Sequence, residues 1–253
     1  MKPISIQLYT VRNVIAQRND FVGVLKDIAE IGYKAVEFAG LHGKSPKEVR
    51  QVIDGLGLKV SSAHSPLATK ENVNEVVDTA KTLGYDLVIS GFGPDDFKTQ
   101  DAIRRGAEKF QAAAELLKPH GLRMGYHNHW WEFDLIDGRY GYNVFFEQAP
   151  GVFSELDVYW CCNFNRVDVP AVIEKHKGNI PALHIKDGPL VQGQPHTAVG
   201  AGRMNMPAVI QAAEGRALKW VIVELDECAT DMMAAVRDSY AYLTGKGLAK
   251  GNK

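Results

Sequence analysis

The stretch GYHNHWWEF, residues 125–133, crowds two histidines, an asparagine, two tryptophans and a glutamate behind an ordinary apolar run. Three later apolar runs also end on polar groups: Asp157 in ELDVYW, His184 in ALHIKD and Glu224 in VIVELD. His127, Asp157, His184 and Glu224 are spaced 30, 27 and 40 residues apart, about one strand–helix unit each. Two imidazoles and two carboxylates form a mixed nitrogen–oxygen donor set. Such a set suits one Mn²⁺, Zn²⁺, Co²⁺ or Fe²⁺ ion better than Ca²⁺ or a thiolate-bound ion, with Mg²⁺ a further candidate.

These residues can act together only if the fold brings them together. One short phrase recurs along the chain: a glycine or turn, four to six apolar residues, then a polar group. It appears in PISIQLY, GYKAVEF, GLKVSSAH, GYDLVISG, GLRMGYHNH, GVFSELD, GNIPALHIKD and LKWVIVELD. Short runs rich in Val and Ile read as buried parallel strands. Between them, apolar residues recur at three- and four-residue spacing over 21–31, 73–83, 102–117, 207–213 and 232–243, as in amphipathic helices. Ser45-Pro-Lys-Glu48 has the form of a capping box, and Asn205 and Asp168 each stand two residues before a proline at a helix start.

Eight strands alternating with eight helices predict a closed (β/α)8 TIM barrel, and no linker divides the chain, so residues 1–253 read as a single domain. A doubly wound open sheet would favour a glycine-rich turn after the first strand, where LYTVRN has none. In a barrel, the C-terminal ends of all strands meet at one mouth. Side chains two apart share a face of a strand, so His127 pairs with His129, His184 with Lys186, and Glu224 with Asp226. The first of each pair lies deeper and is the better ligand; the second faces substrate. Glu37 and His64, ending strands two and three, are expected to contact substrate, as are Trp131 and Trp160, whose flat rings suit the C–H faces of sugars.

Plainer roles stand beside these. Asp157 could cap a helix, but no helix signal follows it at once. Lys186 could form an ion pair with Asp157 or Asp187. The Gly200–Gly202 segment follows no strand directly, so it reads as a flexible lid and not as a phosphate loop.

The bulk properties exclude several functions. Lys+Arg 29 against Asp+Glu 30 gives a net charge of −1, with no basic field for a nucleic acid. No apolar run approaches the ~20 residues that span a bilayer. Cys161, Cys162 and Cys228 include no C-x-x-C and read as reduced thiols. The chain enters its first strand at once, so a cytoplasmic protein is expected; a removed export signal would leave the same sequence.

The motifs YHNHWWEF, ELDVYW, LHIKDG followed by AVGAGRMN, and VIVELDE resemble the xylose isomerase-like barrels, the sugar phosphate isomerase/epimerase family. The likeness covers nearly the whole chain. It implies one divalent metal held at the ends of strands five to eight, by position His127, Asp157, His184 and Glu224. It also implies that Glu132 contacts substrate beyond strand five, and that Trp160 stands where the epimerases often carry a histidine. The two-base epimerases usually end strand five with a glutamate, whereas this chain offers His127 unless Glu132 takes that place.

The residues and the resemblance together predict a metal-dependent sugar isomerase or epimerase acting on a keto-sugar or related polyol through an enediolate. Glu224 would be the base, Glu132 the group that returns a proton, and Lys186 the stabiliser of charge on oxygen. A dehydratase eliminating from a 3-keto-sugar or inosose is the alternative. An abasic-site-type endonuclease and a non-catalytic sugar-binding barrel are the remaining readings. The expected partner is a small carbohydrate, without nucleic acid or membrane, and the exposed barrel faces leave open a homo-oligomer.

Overall fold

The computed structural model describes residues 1–176, 178–215 and 217–253. Eight parallel strands follow one another around the barrel: β1 (Lys2–Gln7), β2 (Ala35–Ala39), β3 (Lys59–His64), β4 (Leu87–Ser90), β5 (Arg123–His127), β6 (Phe153–Asp157), β7 (Ala182–Ile185) and β8 (Trp220–Val223). Strand β8 pairs with β1 through Ile4–Val221, Ser5–Ile222 and Ile6–Val223, which closes the barrel. A two-residue strand, Ala249–Lys250, adds to the start of β1. Among the described residues no helix is long and apolar enough to cross a membrane.

The expected helices form close to their predicted limits. They include α2 (Phe21–Ile31), α4 (Val73–Leu83), α5 (Gln100–Leu117), α9 (Met206–Ala213) and α10 (Met232–Gly245), with α1 (Arg12–Arg18) ahead of α2 and α6 (Gly141–Gln148) ahead of β6. Ser45 makes both bonds of its capping box with Glu48 at the start of α3 (Pro46–Gly55). Asp168 and Asn205 accept from Ala171 N–H and Ala208 N–H at the starts of α8 (Val169–Lys175) and α9. One expectation fails. A short helix, α7 (Val158–Cys161), begins immediately after β6, and Asp157 Oδ1 caps it by accepting from Trp160 N–H at 2.8 Å. The single turn is too short to show an apolar period, so the sequence carried no signal for it.

The helices bury their apolar faces against the outside of the barrel, and that layer holds most of the core. The barrel interior is divided along its axis. At the floor, Leu87, Ile89 and Phe153 form a separate buried cluster with Trp220 packed on it. Gly125 in β5 makes room for it: a Cβ there would lie 2.3 Å from two Phe153 ring atoms. This explains the glycine that opens GYHNHWWEF. Above the floor the interior turns polar.

Candidate active site

Strand register stacks the polar interior in two layers. Gln7 lies beside Glu37, His127 beside Glu155, and His184 beside both Asp157 and Ile222. Because inward positions alternate, β6 sends Phe153, Glu155 and Asp157 up one face. Glu155 belongs to the lower layer and Asp157 to the upper one.

In the lower layer, Glu37 accepts from Gln7 Nε2 at 2.6 Å and from the Ser62 hydroxyl. Its Oε1 also lies 2.6 Å from His184 Nε2. Glu155 Oε2 is approached by His64 Nε2 at 2.7 Å, His127 Nδ1 at 3.2 Å and His184 Nε2 at 3.2 Å. Glu37, Glu155 and His184 are fully buried, and His127 nearly so. Burial is the largest influence on each of these groups and opposes its charge; for Glu37, His64 and His184 the partners outweigh it, and for Glu155 and His127 it prevails. Burial works to raise Glu37, yet His184 and His64 hold it well below the usual carboxylate range. Burial works to lower His64, yet Glu37 and Glu155 lift it to about 10. His184 is likewise raised well above its ordinary value against burial, by Glu155, Glu37 and Glu224. His127 is pushed well down by burial and then by the neighbouring His184 and His64.

The upper layer centres on Lys186, which is 1% exposed. Its ammonium lies 3.1 Å from Asp157 Oδ2, 3.0 Å from Glu224 Oε2 and 2.8 Å from Asp226 Oδ2, and 5.2 Å from the centre of the Trp160 ring. Burial opposes its charge, but the three carboxylates raise its pKa well above normal. Burial raises Glu224, and Lys186 and His184 more than reverse that. For Asp157 burial prevails over Lys186 and the pKa is raised. Glu224 Oε2 also lies 2.8 Å from His184 Nδ1, which joins the two layers.

The expected quartet therefore does converge. His127, Asp157, His184 and Glu224 could hold a metal ion through atoms within 4.8 Å of one another, and so could His64, His127, Glu155 and His184. A cleft of about 410 Å³ opens over them, lined by Tyr9, His64, Phe92, His127, His129, Glu224 and Asp226. His129 faces it as expected, with Trp131 stacked on its ring at 4.2 Å. Trp160 packs beside Lys186 and edge-on to His196.

Two expected residues lie elsewhere. Glu37 is sealed in the lower layer beneath His64 and His184, because Gln7 and Ser62 bind its carboxylate inside the barrel. Glu132 is fully buried beside the site: its oxygens accept from the Tyr126 hydroxyl at 2.7 Å and His129 N–H at 2.9 Å. It braces the turn after β5 and does not line the cleft. The Gly200–Gly202 segment is not loose either. Asp187, fully buried, accepts from the N–H groups of Gly188, Gly200, Gly202 and Met204, and so ties the loop after β7 to the strand end. Of the two expected partners of Lys186, Asp157 is real and Asp187 is engaged with this loop. Sequence reasoning missed Glu155; the alternation that pairs His127 with His129 also pairs Glu155 with Asp157.

The family model described as "Xylose isomerase-like TIM barrel" matches residues 25–244. The chain belongs to that family. Among solved structures, a sugar phosphate isomerase/epimerase from Parabacteroides distasonis ATCC 8503 is 26% identical at a TM-score of 0.81, over 98% of this chain and 96% of that one. The probable 3-DHS dehydratase AsbF from Bacillus anthracis is 12% identical at a TM-score of 0.75, over 96% and 98%. The IolI protein with a bound zinc atom is 13% identical at a TM-score of 0.75, over 97% and 99%. At those identities the last two share the fold with this chain. A search of curated proteins returns no match.

Proposed function

We propose that this protein is a divalent-metal-dependent sugar isomerase or epimerase that moves a proton at the carbon beside a keto-sugar carbonyl. The observation that carries this reading is the ionised Glu224 at the cleft, held against Lys186 and His184 above a buried set of imidazoles and carboxylates. The residues fit a metal ion. His127 and His184 belong to both constellations, and the buried Glu155 Oε1 has no hydrogen-bond partner. When bound, such an ion supplies Lewis-acid stabilisation to charge developing on substrate oxygen.

The chain's own residues account for the rest. Glu224 is ionised, the form a base requires, although its pairing with Lys186 lowers its affinity for a proton. A substrate oxygen that gains negative charge competes for the Lys186 ammonium, and as Lys186 turns to it the basicity of Glu224 rises. The His129 ring, backed by the stacked Trp131, gives a flat face at the cleft against which a sugar ring packs. Among the described residues no second glutamate lines the cleft, and Glu132 is bound to Tyr126 and His129. That favours one-base isomerisation over two-base epimerisation, and keeps β-elimination from a 3-keto-sugar as the second reading.

Incubating the metal-loaded protein with a panel of ketoses and 3-keto-glycosides in D₂O tests the proposal. Deuterium entering the carbon beside the carbonyl is the expected result, and the product separates isomerisation from elimination. No exchange and no turnover across the panel would refute it.

A further inference from the structure

A second cavity, of about 260 Å³, lies between helix α4 and the loops that follow β2 and β3. Its lining is mainly apolar: Phe38, Leu41, Ala63, Pro66, Val76 and Tyr85. We infer that it receives an apolar substituent, about the size of a phenyl ring, carried by a keto-sugar whose reacting carbon lies in the cleft. The inference rests on the sugar-enzyme reading and narrows its substrate from a free ketose to a substituted keto-sugar.

The two cavities share a wall. His64 lines both of them; Ala39 lines the cleft, and its chain neighbours Phe38, Gly40 and Leu41 line the second cavity. Ala39 and His64 are register partners at the ends of β2 and β3. The ridge between the cavities therefore carries one methyl group and one imidazole. Gly40 beside it adds no side chain: its φ is +83°, and a Cβ there would meet nothing within 4 Å.

The lining selects the occupant. Phe38, Ala63, Val76 and Tyr85 are buried, so the walls are apolar to their depth. Among the described residues no Lys or Arg lines the cavity, and the Glu75 carboxylate does. His64 turns its Nε2 away, to Glu155 at 2.7 Å. A phosphate or carboxylate would enter without a free counter-charge and beside a like charge, which disfavours it. A neutral ring fits the space, since an apolar cavity of ~150 Å³ is enough to take up benzene. The walls are fixed in advance. Asn72 Oδ1 accepts from Thr69 N–H at 2.7 Å, its Nδ2 donates to the Leu67 carbonyl at 3.1 Å, and Ser65 N–H donates to the Ile89 carbonyl at 2.9 Å. Binding in such a preformed cavity does not have to order its loops.

The test compares matched methyl and phenyl 3-keto-glycosides on wild type, Thr79→Phe and Val76→Phe, whose new rings fill the cavity from α4. In wild type the phenyl member should show a KM at least ~10-fold lower, a low figure for burying one aromatic ring. Both variants should lose that preference and keep kcat/KM for the methyl member within about twofold, as expected away from the reacting groups. Should neither variant fold by circular dichroism, fluorobenzene decides on wild type: it should raise KM for the phenyl glycoside and leave that for the methyl glycoside unchanged. Equal KM for the pair in wild type, a preference surviving in a folded variant, or turnover of free ketoses alone overturns the inference and leaves the proposed function standing. No exchange and no turnover with any sugar removes the proposed function and the substrate assignment with it. Fluorobenzene binding, read by ¹⁹F line broadening, then judges the cavity alone: it should appear in wild type and vanish in Thr79→Phe, and its absence from wild type removes the cavity as a site.

Discussion

Replacing Lys186 by methionine keeps much of the side-chain volume and removes the one ammonium from the upper layer. Three carboxylates then face one another: Asp157 at 0%, Glu224 at 6% and Asp226 at 29% side-chain exposure. Removing one partner of a buried ion pair typically costs about 3–5 kcal/mol, because the charge left behind stays desolvated. Two features place this case near the lower end. Asp226 is partly solvated, and the pKa of Asp157 is already raised, so it can take up a proton. We expect about 3 kcal/mol at pH 7 in the metal-free protein. At roughly 3 kcal/mol per M of urea for a chain of this size, that moves the unfolding midpoint by roughly 1 M.

Asp157 sets the sign of the pH dependence. An acid whose folded-state pKa lies above its unfolded value binds more protons when folded, so stability rises as pH falls through the folded value. Loss of Lys186 removes the influence that lowers Asp157 and widens this window. The deficit of Lys186→Met relative to wild type should therefore shrink between pH 7 and pH 5. Lys186→Met/Asp157→Asn should regain part of it at pH 7, since the most buried unpaired charge is gone. Urea titrations at several pH values measure all of this. A deficit below ~1 kcal/mol at pH 7, unchanged by pH and by the second substitution, would refute the account of Lys186 as the compensating charge.

Particular contacts elsewhere lead to other expected outcomes. Gly125→Ala drives a methyl group into the Phe153 ring and should cost about 1–3 kcal/mol in thermal or urea unfolding, with partial recovery in Gly125→Ala/Phe153→Leu. His176 is held down to about 4 by burial and then by Lys175, with its Nε2 2.7 Å from Asn143 Oδ1. A depressed folded pKa gives stability that is present above about 6.5 and lost as pH falls toward 4, at no more than ~1.4 kcal/mol per pH unit; His176→Gln should flatten the stability profile there. Asp187→Asn turns an amide donor toward backbone N–H groups and loses bonds worth ~1.5–3 kcal/mol each. Amide exchange over residues 188–204 should then speed up, and an unchanged pattern would show that Asp187 does not hold the loop.

The barrel was legible because its strands and helices repeat. Short Val- and Ile-rich runs and the three- and four-residue helical spacing placed β1–β8 and the main helices within a few residues. Ser45, Asp168 and Asn205 announced their helices through capping chemistry, which is local. Convergence of His127, Asp157, His184 and Glu224 was legible for the same reason, since a barrel brings strand ends to one mouth. Depth along the axis was harder to see. Glu155 and Glu37 sit below the strand ends, and only alternation counted back along β6, or the pairing of Gln7 with Glu37 across β1 and β2, points to them. Glu132 was misplaced because its direction is set by Tyr126 and by His129 N–H, which a strand period does not describe.

The division of the interior carries a consequence for stability. Barrel interiors are commonly filled by branched aliphatic side chains, and here the apolar floor of Leu87, Ile89, Phe153 and Trp220 gives way above to an interior rich in charged and polar groups. Above it, carboxylates and imidazoles surrender their hydration, a cost that ion pairing offsets only when the geometry is complete. The outer layer, where α2, α4 and α5 pack on the strands, must therefore supply most of the folding free energy. Ordinary apolar truncations there should lower stability, and so should neutralising Asp157 alone, whereas replacing Lys186 and its carboxylates together by apolar side chains of similar volume can raise it at the expense of the site. Such a gain would be expected if these groups are retained for chemistry, since functional sites keep charges that folding alone does not favour.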